Sequence, residues 1–152
     1  LFDVIAFRKF MCFVIITYSV TIVIYFLFPT CQNLRPEEFA RDNVFTRFMG
    51  WFYTFDTNTN VCPSIHVIGA MAALFTAWDA KGLSKTAWRV AFTVLTVLIC
   101  LSTVFLKQHS AVDVVAALPL CIIAYRLVFV RPAVPVGQRA AKRKNQVQNS
   151  SI

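Results

Sequence analysis

Four hydrophobic segments, each bounded by polar or charged residues, follow one another along most of the chain. They cover about residues 10–28, 63–79, 87–103 and 109–130, and the first contains no charged residue. A helix needs about 20 residues to cross the hydrocarbon core of a bilayer, which is about 30 Å thick. The pattern therefore predicts an all-α, multi-pass bundle of transmembrane helices with four spans.

Composition favours a membrane protein over a soluble one. Hydrophobic residues make up 58% of the chain and charged residues 14%, whereas soluble domains have about 45–50% and about 25%. Four apolar helices in 152 residues would also leave no polar face to cover them in water. We therefore expect an integral membrane protein and not a water-soluble helical domain.

The net charge of +8 is distributed in a way that indicates membrane orientation and not nucleic-acid binding. Basic residues cluster before the first segment, between the second and third, and after the fourth: Arg8, Lys9; Lys81, Lys85, Arg89; Arg131, Arg139, Lys142, Arg143, Lys144. Because consecutive spans alternate in direction, the three clusters share one side, which the positive-inside rule assigns to the cytoplasm. Residues 33–62 would then face outward from the plasma or cytoplasmic membrane.

The ends of the chain differ from its hydrophobic centre. We expect residues 1–131 to form the transmembrane domain. Residues 132–152 are rich in Lys, Arg, Gln and Asn, and we expect them to form a disordered cytoplasmic tail that can contact anionic lipid. The chain starts at Leu1 with neither methionine nor a signal-peptide pattern, so we expect it to lack an N-terminal part.

An aromatic-rich stretch lies between the first two spans. Residues 45–55 include four phenylalanines, one tryptophan and one tyrosine. Aromatic side chains of this kind concentrate at the headgroup level of membranes. The stretch predicts a helix that either lies in the membrane interface or packs against neighbouring helices.

The two histidines of the chain are brought to the same depth by the predicted topology. His66 lies at the outer start of the second span and His109 at the outer start of the fourth. Asp113 follows His109 by four residues, so both side chains lie on one helix face. The carboxylate can then orient one imidazole nitrogen and leave the other free as a nucleophile or base.

The same predicted pocket suits an anion such as phosphate. Both histidine-bearing helices point their N-termini at it, and helix N-termini offer free N–H groups and positive partial charge. Ser64 could cap the second helix or donate to the anion, while Lys107 and Arg35 would add positive charge at the same level. The residues therefore predict a phosphate-handling site at the outer membrane face.

Two motifs carry a resemblance to a known family. Residues 63–66, Pro-Ser-Ile-His, resemble the Pro-Ser-Gly-His motif of the type 2 phosphatidic-acid phosphatase superfamily. Residues 102–113 resemble its later motif of Ser-Arg, five residues, His, three residues and Asp, with Ser102, His109 and Asp113 at the matching positions. The four predicted spans would correspond to the last four of the six helices in that family.

The resemblance implies a role for each matching residue. His109 would attack the phosphorus and form a phosphohistidine, Asp113 would orient His109, and His66 would protonate the leaving oxygen. The phosphate-binding residues would be Ser64, Arg35, Lys107 and Ser102. The family uses neither a metal nor another cofactor, so none is expected here.

The chain also departs from the family's motifs. The first motif is Lys, six residues, then Arg-Pro; the Arg-Pro pair stands at residues 35–36, but Phe28 occupies the lysine position. Ile65 replaces the glycine of the second motif, and Thr103 replaces the arginine of the third. Lys107 would take the place of one missing cation. Relaxed motifs of this kind resemble the branch that contains inositol-phosphorylceramide and sphingomyelin synthases.

The functional prediction is a membrane phosphatase that hydrolyses a lipid phosphate or polyprenyl diphosphate through a phosphohistidine. An alternative is a phosphotransferase that moves a phospho-headgroup from a lipid to an alcohol. A nonenzymatic membrane bundle is a third possibility, and a zinc site formed by His66, His109 and Asp113 is a fourth. The expected partners are the lipid substrate and membrane lipids, without nucleic acid.

Overall fold

The computed structural model describes residues 3–36 and 38–130, and within them the chain folds into five α-helices. The helices are α1 (Val4–Leu27), α2 (Val44–Phe55), α3 (Ile65–Asp79), α4 (Thr86–Phe105) and α5 (Ala111–Tyr125). A short 3₁₀ turn (Lys81–Leu83) links α3 to α4, and a π-helical turn (Arg126–Val130) extends α5. The predicted tail, residues 132–152, lies outside the described residues.

Three helical segments are long and apolar enough to cross a membrane: Val4–Leu27, Thr86–Phe105 and Ala111–Val130. The helix of the second predicted span, α3, is apolar but has 15 residues, which gives a length of about 22 Å. The prediction of an all-α membrane bundle is confirmed, although three of the four predicted spans, and not all four, have the length of a spanning helix.

Two helix starts differ from the predicted ones for local reasons. α1 begins before its charged residues because the Asp3 side chain caps it, accepting hydrogen bonds from the backbone N–H groups of Ile5 and Ala6. α5 begins at Ala111, not at His109, because Ser110 is its N-cap. His109 therefore lies in the loop before the helix and not on the helix itself.

The central helix is α3, which packs against α1, α4 and α5, while α1 also contacts α5. The core between these helices is formed by Phe13, Val67, Ile68, Ala72, Ala117, Cys121 and Ala124, all fully buried. Most of these side chains are small. Small side chains let helices approach closely, which is how helices associate where no water is expelled between them.

Contacts at one end of the bundle establish the relative direction of the helices. The Lys9 ammonium lies 2.7 Å from the Asp79 carboxylate and 5.6 Å from the centre of the Phe129 ring. The start of α1 therefore lies beside the end of α3 and the turn that follows α5. The two basic clusters within the described residues consequently share this end, which we call the basic end. The opposite end carries both histidines, and we call it the histidine end.

Residues 28–64 cover the histidine end and include α2. The two ends of this segment are joined where the Thr30 hydroxyl accepts hydrogen bonds from the N–H groups of Val61 and Cys62. The outward face of α2 is exposed: Phe45 by 82%, Phe48 by 57% and Trp51 by 56%. Of the two predicted environments for this stretch, the exposed aromatic face favours the membrane interface over packing against other helices.

Candidate active site

The N-termini of α3 and α5 meet at the histidine end. The Ser64 hydroxyl caps α3 by accepting a hydrogen bond from the N–H of Val67, at 3.4 Å. Ser110 and Asp113 form a reciprocal capping box at the start of α5, with distances of 2.7 and 3.3 Å. The Ser64 N–H also donates to the backbone carbonyl of Asp113 at 3.2 Å. This bond joins the two helix starts, so the side chains they carry are held side by side.

The two histidines are in direct contact. His66 Nδ1 lies 3.1 Å from His109 Nε2, and the two rings meet edge to face with their centres 5.3 Å apart. One of these nitrogens carries the proton and the other accepts it. His109 is buried and His66 is half-buried. The structure thus brings together two residues that are 43 positions apart in the sequence.

Asp113 lies on the other side of the His109 ring. Its Oδ2 is 3.8 Å from His109 Nδ1, and both side chains are nearly inaccessible to solvent. Within the described residues, His109 Nδ1 has no hydrogen-bond partner, since Asp113 Oδ2 accepts from the N–H of Ser110 instead. The carboxylate therefore has two tasks: it caps α5, and it lies beside the imidazole nitrogen that does not face His66.

The environment of His109, which lies outside the spanning helices, favours its neutral form. Burial lowers the pKa of His109, the neighbouring His66 acts in the same direction, and the Asp113 carboxylate opposes both. A neutral imidazole has one nitrogen with a free lone pair, and only that form can attack an electrophile or accept a proton. The site therefore favours an imidazole with a free lone pair at His109, in contact with the second imidazole of His66.

A tight turn between α4 and α5 positions His109. Lys107 adopts a left-handed conformation with φ of 53°, at the position after the helix cap that is usually Gly or Asn. The N–H of Lys107 donates to the carbonyl of Val104, and the N–H groups of Gln108 and His109 both donate to that of Thr103, each at 3.0 Å. The chain reverses within residues 106–110 and directs His109 towards α3. Lys107 thus shapes the backbone here, and its side chain is exposed.

The second predicted cation, Arg35, is held by Asp56. Its guanidinium lies 2.7 Å from Asp56 Oδ2, donates also to the Asp56 carbonyl, and stacks on the Tyr53 ring at 4.6 Å. The same Oδ2 accepts a hydrogen bond from Gln108 Nε2 at 3.1 Å. Asp56 therefore links Arg35 to Gln108, the residue next to His109. Among the described residues, none of the hydrogen bonds of Arg35 is to a histidine.

The predicted site residues consequently fall into two groups. His66, His109, Asp113 and Ser64 lie together at the two helix starts. Ser102 donates its hydroxyl hydrogen bond to Ile99 in its own helix, and Lys107 points to solvent. Phosphate binding by Ser64, Arg35, Lys107 and Ser102 stays a prediction.

Sequence reasoning missed two residues of this region, Asp56 and Gln108. Asp56 is the one acidic residue between Val44 and Pro63, a signal that could have drawn attention to it. Gln108 is a buried amide that directly precedes His109. Both are polar residues whose partners are distant in sequence, so the motif spacing alone does not indicate them.

Comparison with known proteins adds the family. The sequence model described as the PAP2 superfamily matches residues 3–127. The chain belongs to the PAP2 superfamily. The match runs from the cap of α1 into the turn after α5, so it includes both histidines and Asp113. No curated protein and no solved structure matches the chain significantly.

Membership of the PAP2 superfamily confirms the resemblance seen in the motifs and gives the chain a phosphatase-family role in a membrane. The zinc alternative is not supported by the geometry. Within the described residues, no three His, Cys, Asp or Glu side chains are placed to hold a metal ion. His66 and Asp113 lie against opposite nitrogens of His109, so a single ion could not be bound by all three.

Proposed function

We propose that this PAP2-superfamily chain hydrolyses a lipid phosphate or polyprenyl diphosphate through a phosphohistidine on His109. The observation that carries the proposal is the row of three side chains in which His109 lies between His66 and Asp113. This row lies at two joined helix N-termini, where backbone N–H groups favour an anion. A nucleophile, an acid and an orienting carboxylate in one row are the components of a two-step displacement.

In the first step, the lone pair of His109 Nε2 forms a bond to phosphorus while the bond from phosphorus to the leaving oxygen breaks. His66 gives its proton to that oxygen, a transfer that contributes typically 10²–10⁴-fold. The phosphorylated ring keeps its proton on Nδ1 and becomes positively charged, beside the Asp113 carboxylate. In the second step, water loses a proton to His66 and attacks phosphorus, which releases phosphate and restores His109.

The resting distance between the two rings requires a movement before this chemistry. Reacting atoms approach to about 3–3.5 Å, and a further hydrogen bond of about 2.6–3.2 Å must join His66 to the leaving oxygen. A separation of 3.1 Å between the two ring nitrogens leaves no room for a phosphoryl group between them. His66 is the more exposed ring, so its side chain is expected to rotate away when substrate enters.

A phosphotransferase is the second candidate. It would use the same phosphohistidine or a related headgroup intermediate, with an alcohol in place of water as the acceptor. The observation that favours it is the loss of two family cations, since Phe28 and Thr103 occupy their positions. In both cases we place the reaction on the outer membrane face, because the basic clusters lie at the opposite end of the bundle.

The test is phosphate release by the full-length protein in membranes, from a panel of lipid phosphates and diphosphates and in the presence of a chelator. His109→Ala is expected to abolish release from every substrate. His66→Ala is expected to lose phosphate release from lipid esters. With an activated aryl phosphate, whose leaving group needs no proton, it is expected to retain the first-turnover release of the aryl alcohol and to be slow in the later release of phosphate, which needs His66 as a base.

Other results have distinct meanings in this experiment. His109-dependent transfer to an added alcohol, without phosphate release, would establish the phosphotransferase instead. Equal activity of wild type and His109→Ala would refute both candidates. Loss of activity in the chelator, with recovery on addition of zinc, would refute a mechanism that relies on the histidines alone.

A further inference from the structure

The Asp56 carboxylate joins three separate parts of the chain at the histidine end. Its Oδ2 accepts from the Arg35 guanidinium at 2.7 Å and from the Gln108 side-chain amide at 3.1 Å. Arg35 belongs to the segment after α1, Asp56 directly follows α2, and Gln108 belongs to the turn before α5. One oxygen atom thus links the segment of residues 28–64 to the residue that precedes His109.

Two further contacts hold the same turn from the same side. The Tyr53 hydroxyl donates to the carbonyl of Leu106 at 2.7 Å, and the Gln32 side-chain amide donates to the carbonyl of Gln108. Asp56, Tyr53 and Gln32 therefore all hold residues 106–110 from outside the helical bundle. Of the three contacts, the one from Asp56 is to a buried side chain, because Gln108 is 6% exposed.

The turn needs such support because its conformation is unfavourable by itself. Lys107 has a φ of 53°, and the left-handed conformation costs a residue with a side chain about 1–2 kcal/mol. Within the described residues, the His109 side chain has one hydrogen bond, and its partner is His66. Small shifts of the turn would therefore change the distance between the two histidines directly.

We propose that Asp56 is a positioning residue: through Gln108 it holds His109 in register with His66, and it holds Arg35 beside the same turn. This inference rests on the proposed function, because the register matters for the attack of His109 on phosphorus and for proton donation by His66. Misplacement of a reacting group by about 1 Å costs about 10²-fold in rate. Loss of Asp56 is thus expected to lower kcat, with a smaller effect on KM.

An alternative role for Asp56, competition with phosphate for Arg35, predicts the opposite change in the kinetics. A carboxylate paired with Arg35 could instead compete with phosphate for that cation, and its removal would then lower KM and raise the rate. The double contact favours the positioning role. Gln108 is neutral, and an oxygen that served only to neutralise Arg35 would have no need to accept from Gln108 as well.

The chain offers a matched control for this test. Asp42 also pairs with an arginine in the segment of residues 28–64, Arg47, at 2.6 Å. That pair is exposed, with 68% of the Asp42 side chain accessible against 25% for Asp56. Asp42→Asn therefore removes a similar ion pair from the same segment without affecting a contact to residues 106–110.

Two measurements on Asp56→Ala, Asp56→Asn and Asp42→Asn in membranes test the inference. The first is kcat and KM with the best substrate. Asp56→Ala is expected to lose about 10²-fold in kcat, and Asp56→Asn to lose less, because its amide oxygen can still accept from Gln108. Asp42→Asn is expected to match the wild type.

The second measurement does not depend on activity. The ring nitrogens of His66 and His109 can be followed by NMR after ¹⁵N-histidine labelling and assigned with single His→Gln variants. Asp56→Ala is expected to shift the His109 signals, and Asp42→Asn to leave them unchanged. If the protein showed no turnover but Asp56→Ala still shifted the His109 signals, the positioning role would be supported although the proposed function had failed.

Three outcomes would overturn the inference in an active protein. The first is an unchanged kcat together with unchanged histidine signals in Asp56→Ala. The second is a higher rate with a lower KM, which would assign Asp56 the competing role. The third is a lower kcat with unchanged His109 signals, since Asp56 would then act without moving His109.

Discussion

Replacement of Asp113 by asparagine isolates the charge beside His109 from the structural role of the same side chain. The carboxylate caps α5 by accepting from the N–H of Ser110 at 2.7 Å, and an asparagine oxygen can accept the same bond. The fold is therefore expected to survive. What Asp113→Asn removes is the negative charge 3.8 Å from His109 Nδ1.

The size of the effect follows from that distance. In the proposed intermediate the His109 ring carries a positive charge. Two unit charges 3.8 Å apart, at the effective dielectric constant of about 20 that suits protein sites, attract each other by about 4 kcal/mol. This interaction is absent while His109 is neutral, so it stabilises the transition state over the ground state. Its loss corresponds to about 10³-fold in rate.

The assay compares kcat/KM for wild type and Asp113→Asn with one lipid phosphate substrate. Ser110→Ala serves as the control, because it removes the other half of the capping box and leaves the charge. It is expected to cost about 1 kcal/mol of stability and far less activity than Asp113→Asn. A folded Asp113→Asn protein with kcat/KM within tenfold of wild type would show that the carboxylate does not stabilise charge on His109.

Two further predictions concern pH and the membrane. Because burial lowers the pKa of His109 below the ordinary histidine value of about 6.5, kcat/KM should fall with acidification only below that pH. Asp113→Asn should move this acid limb still lower, since Asp113 raises the pKa of His109; a limb above the ordinary value would contradict the burial argument. In a protein with Trp78→Phe and Trp88→Phe, Trp51 emission should be quenched by brominated lipids. Emission typical of water, with no quenching, would place α2 outside the membrane interface.

The hydrophobic pattern was sufficient to predict most of the bundle. The three helices long enough to span lie where long apolar runs predicted them, because a single segment in lipid satisfies its own backbone hydrogen bonds by forming a helix. The uncharged run predicts a start for α1 after Arg8 and Lys9, whereas Asp3 caps the helix before them. Long basic side chains near a helix end reach the interface and do not end the helix.

The candidate site was partly predictable for a similar reason. The alternation of spans predicts that His66 and His109 lie at one end of the bundle, and there they are in contact. Asp113 also lies beside His109, but the predicted shared helix face is wrong, because His109 precedes α5 and the capping box with Ser110 holds the carboxylate in place. The contact of Arg35 with Asp56 was not predictable, because it depends on the path of residues 28–64, which no periodic pattern specifies. The exposed side chain of Lys107 follows from the left-handed turn of its backbone. This turn was not predictable, because the sequence has lysine and not the usual glycine at that position.

The short length of α3 bears on the depth at which the two histidines lie in the membrane. Its 15 residues span about 22 Å, less than the hydrocarbon thickness of about 30 Å, and the neighbouring helices α1, α4 and α5 surround it. Non-helical backbone at such a depth is tolerated where it is covered by protein or lines a water-filled cavity. Protein covers the start of α3, where Val61, Ser64 and His109 are buried and where the start of α5 lies alongside. We therefore expect the joined starts of α3 and α5 to lie within the depth of the bilayer, while protein, and not lipid, surrounds their polar groups.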